Sequence, residues 1–215
     1  MKLNPDLVIV PECEHPSKLK NLADPSGIIW QGENLNKGLG VFSYHGYSIK
    51  LLHTHNPAIK NILPIAVSKG SINFILLAIW AYNPIDKDYN YVGQVWKAIN
   101  FYEGLLKNKN VIIIGDFNSN VFWDKLKRKT NHTMVVEKLA ALNIFSTYHL
   151  HQSLKQGKEQ HPTFFMYHHE NKPYHIDYCF ASADLLQNLQ SVEIGKYQDW
   201  VEYSDHTPII ATFKM

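Results

Sequence analysis

The chain has 215 residues, a net charge of +2, and 45% hydrophobic, 13% aromatic and 19% charged residues. This composition excludes a disordered polymer, because apolar residues run throughout, and excludes a nucleic-acid binder that relies on a strongly basic surface. A chain of this length buries roughly 70% of the surface its unfolded form exposes, so it needs no covalent staple. Its two cysteines, Cys13 and Cys179, form no disulfide framework. The basic set is almost all lysine, with Arg128 the only arginine, so fork-like recognition of phosphates or bases has a single possible source.

The first element expected is a strand over Leu7–Pro11. Its four apolar residues, Leu7 to Val10, are too few for the core of a secretory signal. Strands are then predicted at Tyr47–His53, Asn61–Val67 and Ile72–Tyr82. The longest apolar run, nine residues from Phe74 to Tyr82, is too short to span a bilayer as a helix. A cytoplasmic protein without membrane contact or an obligate protein partner is the expectation. Between Tyr89 and Lys107, the residues Val92, Val95, Trp96, Ile99, Tyr102 and Leu106 follow one helical face. The run Val111–Gly115 is apolar throughout and reads as a strand buried on both faces. A second amphipathic helix is predicted over Thr133–Leu142. Five strands complete the pattern, at Ile144–Tyr148, Thr163–Tyr167, Tyr174–Ala181, Ser191–Ile194 and Pro208–Phe213. No repeat, low-complexity tract or linker divides the chain, so residues 1–215 read as one domain. Many strands with few helices suggest two packed sheets with helices outside.

Chemistry concentrates at the strand ends. Gly115-Asp116-Phe117-Asn118 closes the buried strand with a carboxylate and a carboxamide two residues apart, which extended geometry puts on one side. An Asp there can take a proton from water, and an Asn can orient that water. The same tetrad also fits an Asx turn whose side chains serve only the backbone. Asp177 sits in the otherwise apolar run Ile176-Asp177-Tyr178, where a carboxylate needs a partner such as a histidine from a neighbouring strand. Ser204-Asp205-His206 precedes the last strand, and Glu12 ends the first, where a carboxylate can bind a hard cation.

Together, and in this order, Pro11-Glu12-Cys13-Glu14, Gly115-Asp116-Phe117-Asn118, Ile176-Asp177-Tyr178 and Ser204-Asp205-His206 resemble the endonuclease/exonuclease/phosphatase superfamily. Thr163-Phe164 is similar to that family's Thr-aromatic segment, and the likeness runs from about Asp6 to Phe213. The resemblance implies the α/β DNase I-like fold, a four-layer α/β/β/α sandwich of two mainly antiparallel sheets with helices outside. It implies an Mg²⁺-dependent phosphoester hydrolase, with Mn²⁺ as a substitute, acting on nucleic acid or another phosphoester. Asp116 would orient or deprotonate the attacking water and Asn118 would hold the water or phosphate. His206 would stabilise the phosphorus centre and Asp177 would hold its imidazole. Glu12 and Asp205 would serve the metal, with Glu14 either a second ligand or a solvated loop carboxylate. Tyr82 and Asn83 stand where the family places a phosphate-facing tyrosine. Apart from the resemblance, Lys127 and Arg128 in the basic stretch 124–132 either hold a polyanion's backbone or belong to a solvated loop leading into a helix, and Phe122 and Trp123 nearby either stack on bases or pack in the core.

One departure stands out. The family's first strand, which carries a Trp-Asn pair, has no counterpart ahead of Glu12. The leading expectation is a nuclease cleaving phosphodiesters. A phosphomonoesterase or small or lipid phosphodiesterase is the alternative, or a catalytically impaired binding protein. The twelve histidines also raise a zinc site, with His53 and His55 on one strand face and His149 and His151 on another.

Overall fold

The computed structural model describes residues 3–82, 87–125 and 127–214. Thirteen strands and six α-helices are present among them: β1 Leu7–Cys13, β2 Gly27–Asn34, β3 Lys37–Ser43, β4 Ser48–Leu51, β5 Ile62–Lys69, β6 Ile72–Trp80, α1 Val92–Phe101, α2 Glu103–Leu106, β7 Val111–Asp116, α3 His132–Ala141, β8 Ile144–Ser146, α4 Thr147–Gln152, β9 Phe164–Phe165, β10 Pro173–Tyr174, β11 Asp177–Ser182, α5 Ala183–Leu186, β12 Leu189–Ile194, α6 Tyr197–Trp200 and β13 Ile209–Phe213. No helix among the described residues is long and apolar enough to cross a membrane.

A six-stranded sheet in the order β4-β5-β6-β7-β11-β8 forms the centre. Its strands pair antiparallel except β6 with β7, which run parallel. Strands buried on both faces lose the period-2 pattern, which is why β7 reads as an unbroken apolar run. One face packs on α1 and α3 through Val95, Ile99, Val135, Leu139, Ile113 and Phe180. The other face builds a second core in which Leu76, Ile112 and Cys179 meet Leu39 and Val41 of β3, Leu7 and Ile9 of β1, and Ile209 and Phe213 of β13.

That second layer is split. β1-β3-β2 forms one sheet and β12-β13 another, so β1 and β13 are each paired on one side only among the described residues. Leu7, Val8, Ile9 and Val10 of β1 are accordingly only half-buried, whereas β11 is buried along its whole length.

Three differences from the sequence expectations have local causes. The hairpin β2–β3 was not legible, because its glycines interrupt the apolar pattern. Gly32 and Gly38 leave room for the Trp30 indole, which a Cβ would meet at 2.3 and 2.5 Å. Residues 147–148 leave the strand for α4, which Ser146 caps with its hydroxyl accepting from the His149 amide at 3.4 Å. The stretch expected as one strand over Tyr174–Ala181 is two, β10 and β11.

Candidate active site

The ends of β6, β7 and β11 meet where the motifs lie. Gly115 has φ +141°, and a Cβ there would stand 1.9 Å from the Ile79 carbonyl oxygen of the parallel neighbour β6. Only glycine allows that close approach, and it delivers Asp116 to the sheet end. The register then sets Asp116 directly opposite Asp177 across the antiparallel pair β7–β11.

Both oxygens of Asp116 are engaged by Asn118. The Asn118 amide donates to Oδ1 at 2.7 Å and its Nδ2 donates to Oδ2 at 2.6 Å, while Nδ2 also reaches the Ala81 carbonyl at 2.9 Å. Asn118 adopts φ +47°, a left-handed conformation that Asn tolerates better than most residues. The tetrad is therefore a local turn and a cross-strand tie at once. Asp116 is 3% exposed, and burial together with the facing charge of Asp177 holds its carboxyl well above the ordinary range.

Asp177 is buried, and its Oδ2 accepts from His206 Nδ1 at 2.8 Å. Burial works against charging His206, but Asp177 and then Asp116 outweigh it and raise the imidazole pKa to about 9. The ring is thus an imidazolium at neutral pH, with Nδ1 committed to Asp177 and Nε2 left to donate elsewhere. Its own position is set by the Ser204 hydroxyl, which accepts from the His206 amide at 3.0 Å. Thr163 locks the pair: its hydroxyl accepts from the amides of Ile176 and Asp177, both at 3.0 Å, and its carbonyl accepts from the Thr207 amide at 2.8 Å. Only its place in the Thr-Phe motif pointed to it from sequence.

The structure brings together Asp116, Asn118, Asp177 and His206. Glu12 lies at the rim, where its charge reaches Asp116. It sits at φ +60° in an irregular stretch of β1, and its carboxylate pairs with Lys37 at 2.7 Å. Asp205 adds negative charge beside His206, and its carbonyl accepts from the Phe165 amide at 2.7 Å. Tyr82 is exposed and directly follows the Ala81 carbonyl held by Asn118. Asn83 lies outside the described residues. Lys127 and Arg128 are exposed, and no hydrogen bond or ion pair among the described residues ties them to the carboxylates. Glu14 bonds Lys18 at 2.6 Å.

Hard carboxylate oxygens from Glu12, Asp116, Asp177 and Asp205 are the donor chemistry that Mg²⁺ or Mn²⁺ takes. Burial is the larger cause of the raised Asp116 pKa, and the facing charge of Asp177, the next one, is what a cation would relieve. Neither these carboxylates nor the histidines of the zinc arrangement converge into a three-ligand cage among the described residues. His149 and His151 lie on α4 rather than on a strand, and the buried His149 is held by Ser146, Gln156 and Glu159.

Behind the site lies a buried polar network that the sequence did not reveal. His132 Nε2 donates to Gln156 Oε1 at 3.2 Å, Gln156 Nε2 donates to His149 Nδ1 at 3.2 Å, and His149 Nε2 donates to Glu159 at 2.9 Å. Burial pushes His132 down to about 4. Burial would raise Glu159, but His149 and the Gly157 amide hold it at about 2.

Comparison with solved structures identifies the fold. An AP endonuclease from Archaeoglobus fulgidus superposes with a TM-score of 0.68 at 18% identity, covering 98% of this chain and 90% of that one. The 3′-5′ exonuclease NExo from Neisseria meningitidis gives 0.65 at 16% identity, with 98% and 90% coverage. The fold is DNase I-like. The AP endonuclease LMAP from Leishmania major gives 0.67 at 12% identity, covering 95% of this chain and 77% of that one. No protein-family model and no curated protein matches the sequence. On this DNase I-like frame, the carboxylate pair and its histidine occupy the ends of β7 and β11 and the entrance to β13.

Proposed function

We propose that this chain is a divalent-metal-dependent phosphoester hydrolase that cleaves nucleic-acid phosphodiesters with an activated water. The observation that carries the reading is the 2.8 Å Asp177–His206 pair standing beside the buried, proton-avid Asp116. A phosphodiester resists hydroxide because it is anionic, and a fixed cationic donor with an aligned base addresses that barrier. His206 donates to a phosphoryl oxygen and stabilises the charge that gathers there, while Asp177 keeps its ring oriented. Asp116, whose affinity for a proton is raised, receives the proton of the attacking water. Asn118 holds Asp116 in place through two bonds. Glu12 and Asp205 are the residues that would hold the cation, which when bound supplies positive charge at the phosphate. Tyr82, Asn83, Lys127 and Arg128 are assigned to substrate contact. Support comes also from the structural neighbours, which include a 3′ phosphatase form of NExo bound to a product DNA hairpin and two AP endonucleases.

Incubation with plasmid, abasic duplex, single-stranded DNA, RNA and bis-p-nitrophenyl phosphate, with Mg²⁺, Mn²⁺ or EDTA, tests the reading. Metal-dependent cleavage of nucleic acid that Asp116→Ala abolishes is the expected result. A second reading, a binding protein without turnover, is favoured by the split second layer and by the Lys37 pairing of Glu12. Nucleic-acid binding without cleavage under every metal condition would establish it in place of the first.

A further inference from the structure

The site opens onto a row of rings. His206 lies 4.8 Å from Phe164, Phe164 6.3 Å from Tyr174, Tyr174 5.0 Å from Trp123, and Trp123 6.1 Å from Phe122. The inner members are half-buried, but Phe122 is 80% exposed. A phenyl ring left in water forgoes the burial that ordinarily draws Phe inside. Its backbone is nonetheless rigidly held. The Phe122 amide donates to Asn120 Oδ1 at 2.9 Å, and Asn120 Nδ2 is anchored to the His175 carbonyl and the Tyr178 hydroxyl, both at 3.1 Å. Asn120 follows Asn118 by two residues, so the loop that carries Asp116 also presents Phe122. Lys125, Lys127 and Arg128 are exposed just beyond it.

A rigid exposed ring beside exposed cations is the arrangement that holds unpaired nucleotides: the cations follow the backbone and the ring takes a base face. With a net charge of only +2, the surface as a whole offers little general attraction to a duplex. We propose that Phe122 is a nucleobase-stacking post, so that the substrate strand is single-stranded or frayed where it crosses the rim beyond His206. A base inside a duplex has both faces covered and cannot use the post. The placement of the cleaved phosphate at His206 rests on the hydrolase reading; the binding itself does not.

The test is fluorescence anisotropy in EDTA with fluorescein-labelled oligothymidylate, oligouridylate and an oligothymidylate–oligoadenylate duplex. Phe122→Ala is expected to weaken binding of both single strands about tenfold, with less than about a twofold effect on the duplex. Phe122→Leu should lose nearly as much, and Phe122→Trp should bind at least as well as wild type. Unchanged unfolding curves, expected for so exposed a side chain, keep the comparison clean. Wild-type affinity in Phe122→Ala overturns the proposal. So does wild-type affinity in Phe122→Leu, which would make the ring mere apolar cover, or an equal loss on the duplex. Because EDTA blocks turnover, a lack of hydrolase activity in Mg²⁺ would sink the hydrolase reading and leave this result intact.

Discussion

Acidification should strain the buried network around His132. His132 is fully buried, its Nδ1 accepting from the Ser119 hydroxyl at 2.9 Å and its Nε2 donating to Gln156. A second proton would leave Nδ1 with a donor facing a hydroxyl that must reverse, inside a pocket that already burial-shifts the ring from 6.5 to about 4. Between those values the unfolded chain binds the proton and the folded chain does not, so stability falls as pH drops. From pH 7 to pH 5 the loss from this residue is about 2 kcal/mol, a thermal midpoint lower by roughly 4–8 °C in a chain of this size. His175, also lowered by burial, adds to the loss in the same direction. Below 4.5, Glu159 contributes as well, because its ionised form is held down to about 2 and is lost on protonation. Urea unfolding of wild type and His132→Asn across pH 4–8 is the assay. Asn keeps an acceptor toward Ser119 but cannot titrate. The variant should be less stable at pH 7, through lost packing on Tyr178 at 4.9 Å, yet should lose about 2 kcal/mol less on acidification. Parallel curves for the two proteins would refute the assignment.

Four further outcomes follow from the site. Asp116→Asn should fold and lose roughly 10²–10⁴-fold in hydrolysis, measured as the initial rate on the best substrate. Because the Asp116 carboxyl is raised above its ordinary 3.8, the unfolded state releases its proton first, and wild type should lose stability relative to Asp116→Asn as pH rises above 3.8. In Asp177→Asn the His206 pKa should fall from about 9, since burial is then opposed only by the more distant charges of Asp116 and Asp205. Imidazole proton shifts in NMR titration report it, and an unchanged value would remove Asp177 from its role. Gly115→Ala should cost at least about 2–3 kcal/mol, because its Cβ meets backbone rather than a movable side chain, as read from urea midpoints.

Much of this molecule was legible from its residues in order. The apolar run ending in Gly115-Asp116 announced a strand buried on both faces with a polar terminus, because burial and backbone direction are written locally. The amphipathic spacing of Val92, Val95 and Ile99 likewise placed α1, since a helix shows its buried face within a few turns. The order of the four motifs led to the DNase I-like frame. What the residues in order did not contain was register and reach. The pairing of Asp116 with Asp177 is a cross-strand register across sixty residues of chain, and the Thr163 clamp joins segments that only the closed sheet brings together. The histidines showed the limit most clearly. In sequence they suggested a metal cluster on strand faces; in the structure His149 turns onto a helix and spends both ring nitrogens on buried neighbours. Glu12 was found by its place at the end of β1, but that Lys37 of the adjacent strand claims its carboxylate is a fact of the β1–β3 pairing. Side-chain identity sets which chemistry is possible at a strand end. Which groups share a proton, a charge or a partner depends on contacts between distant segments, and those form only when the sheets stack and exclude water.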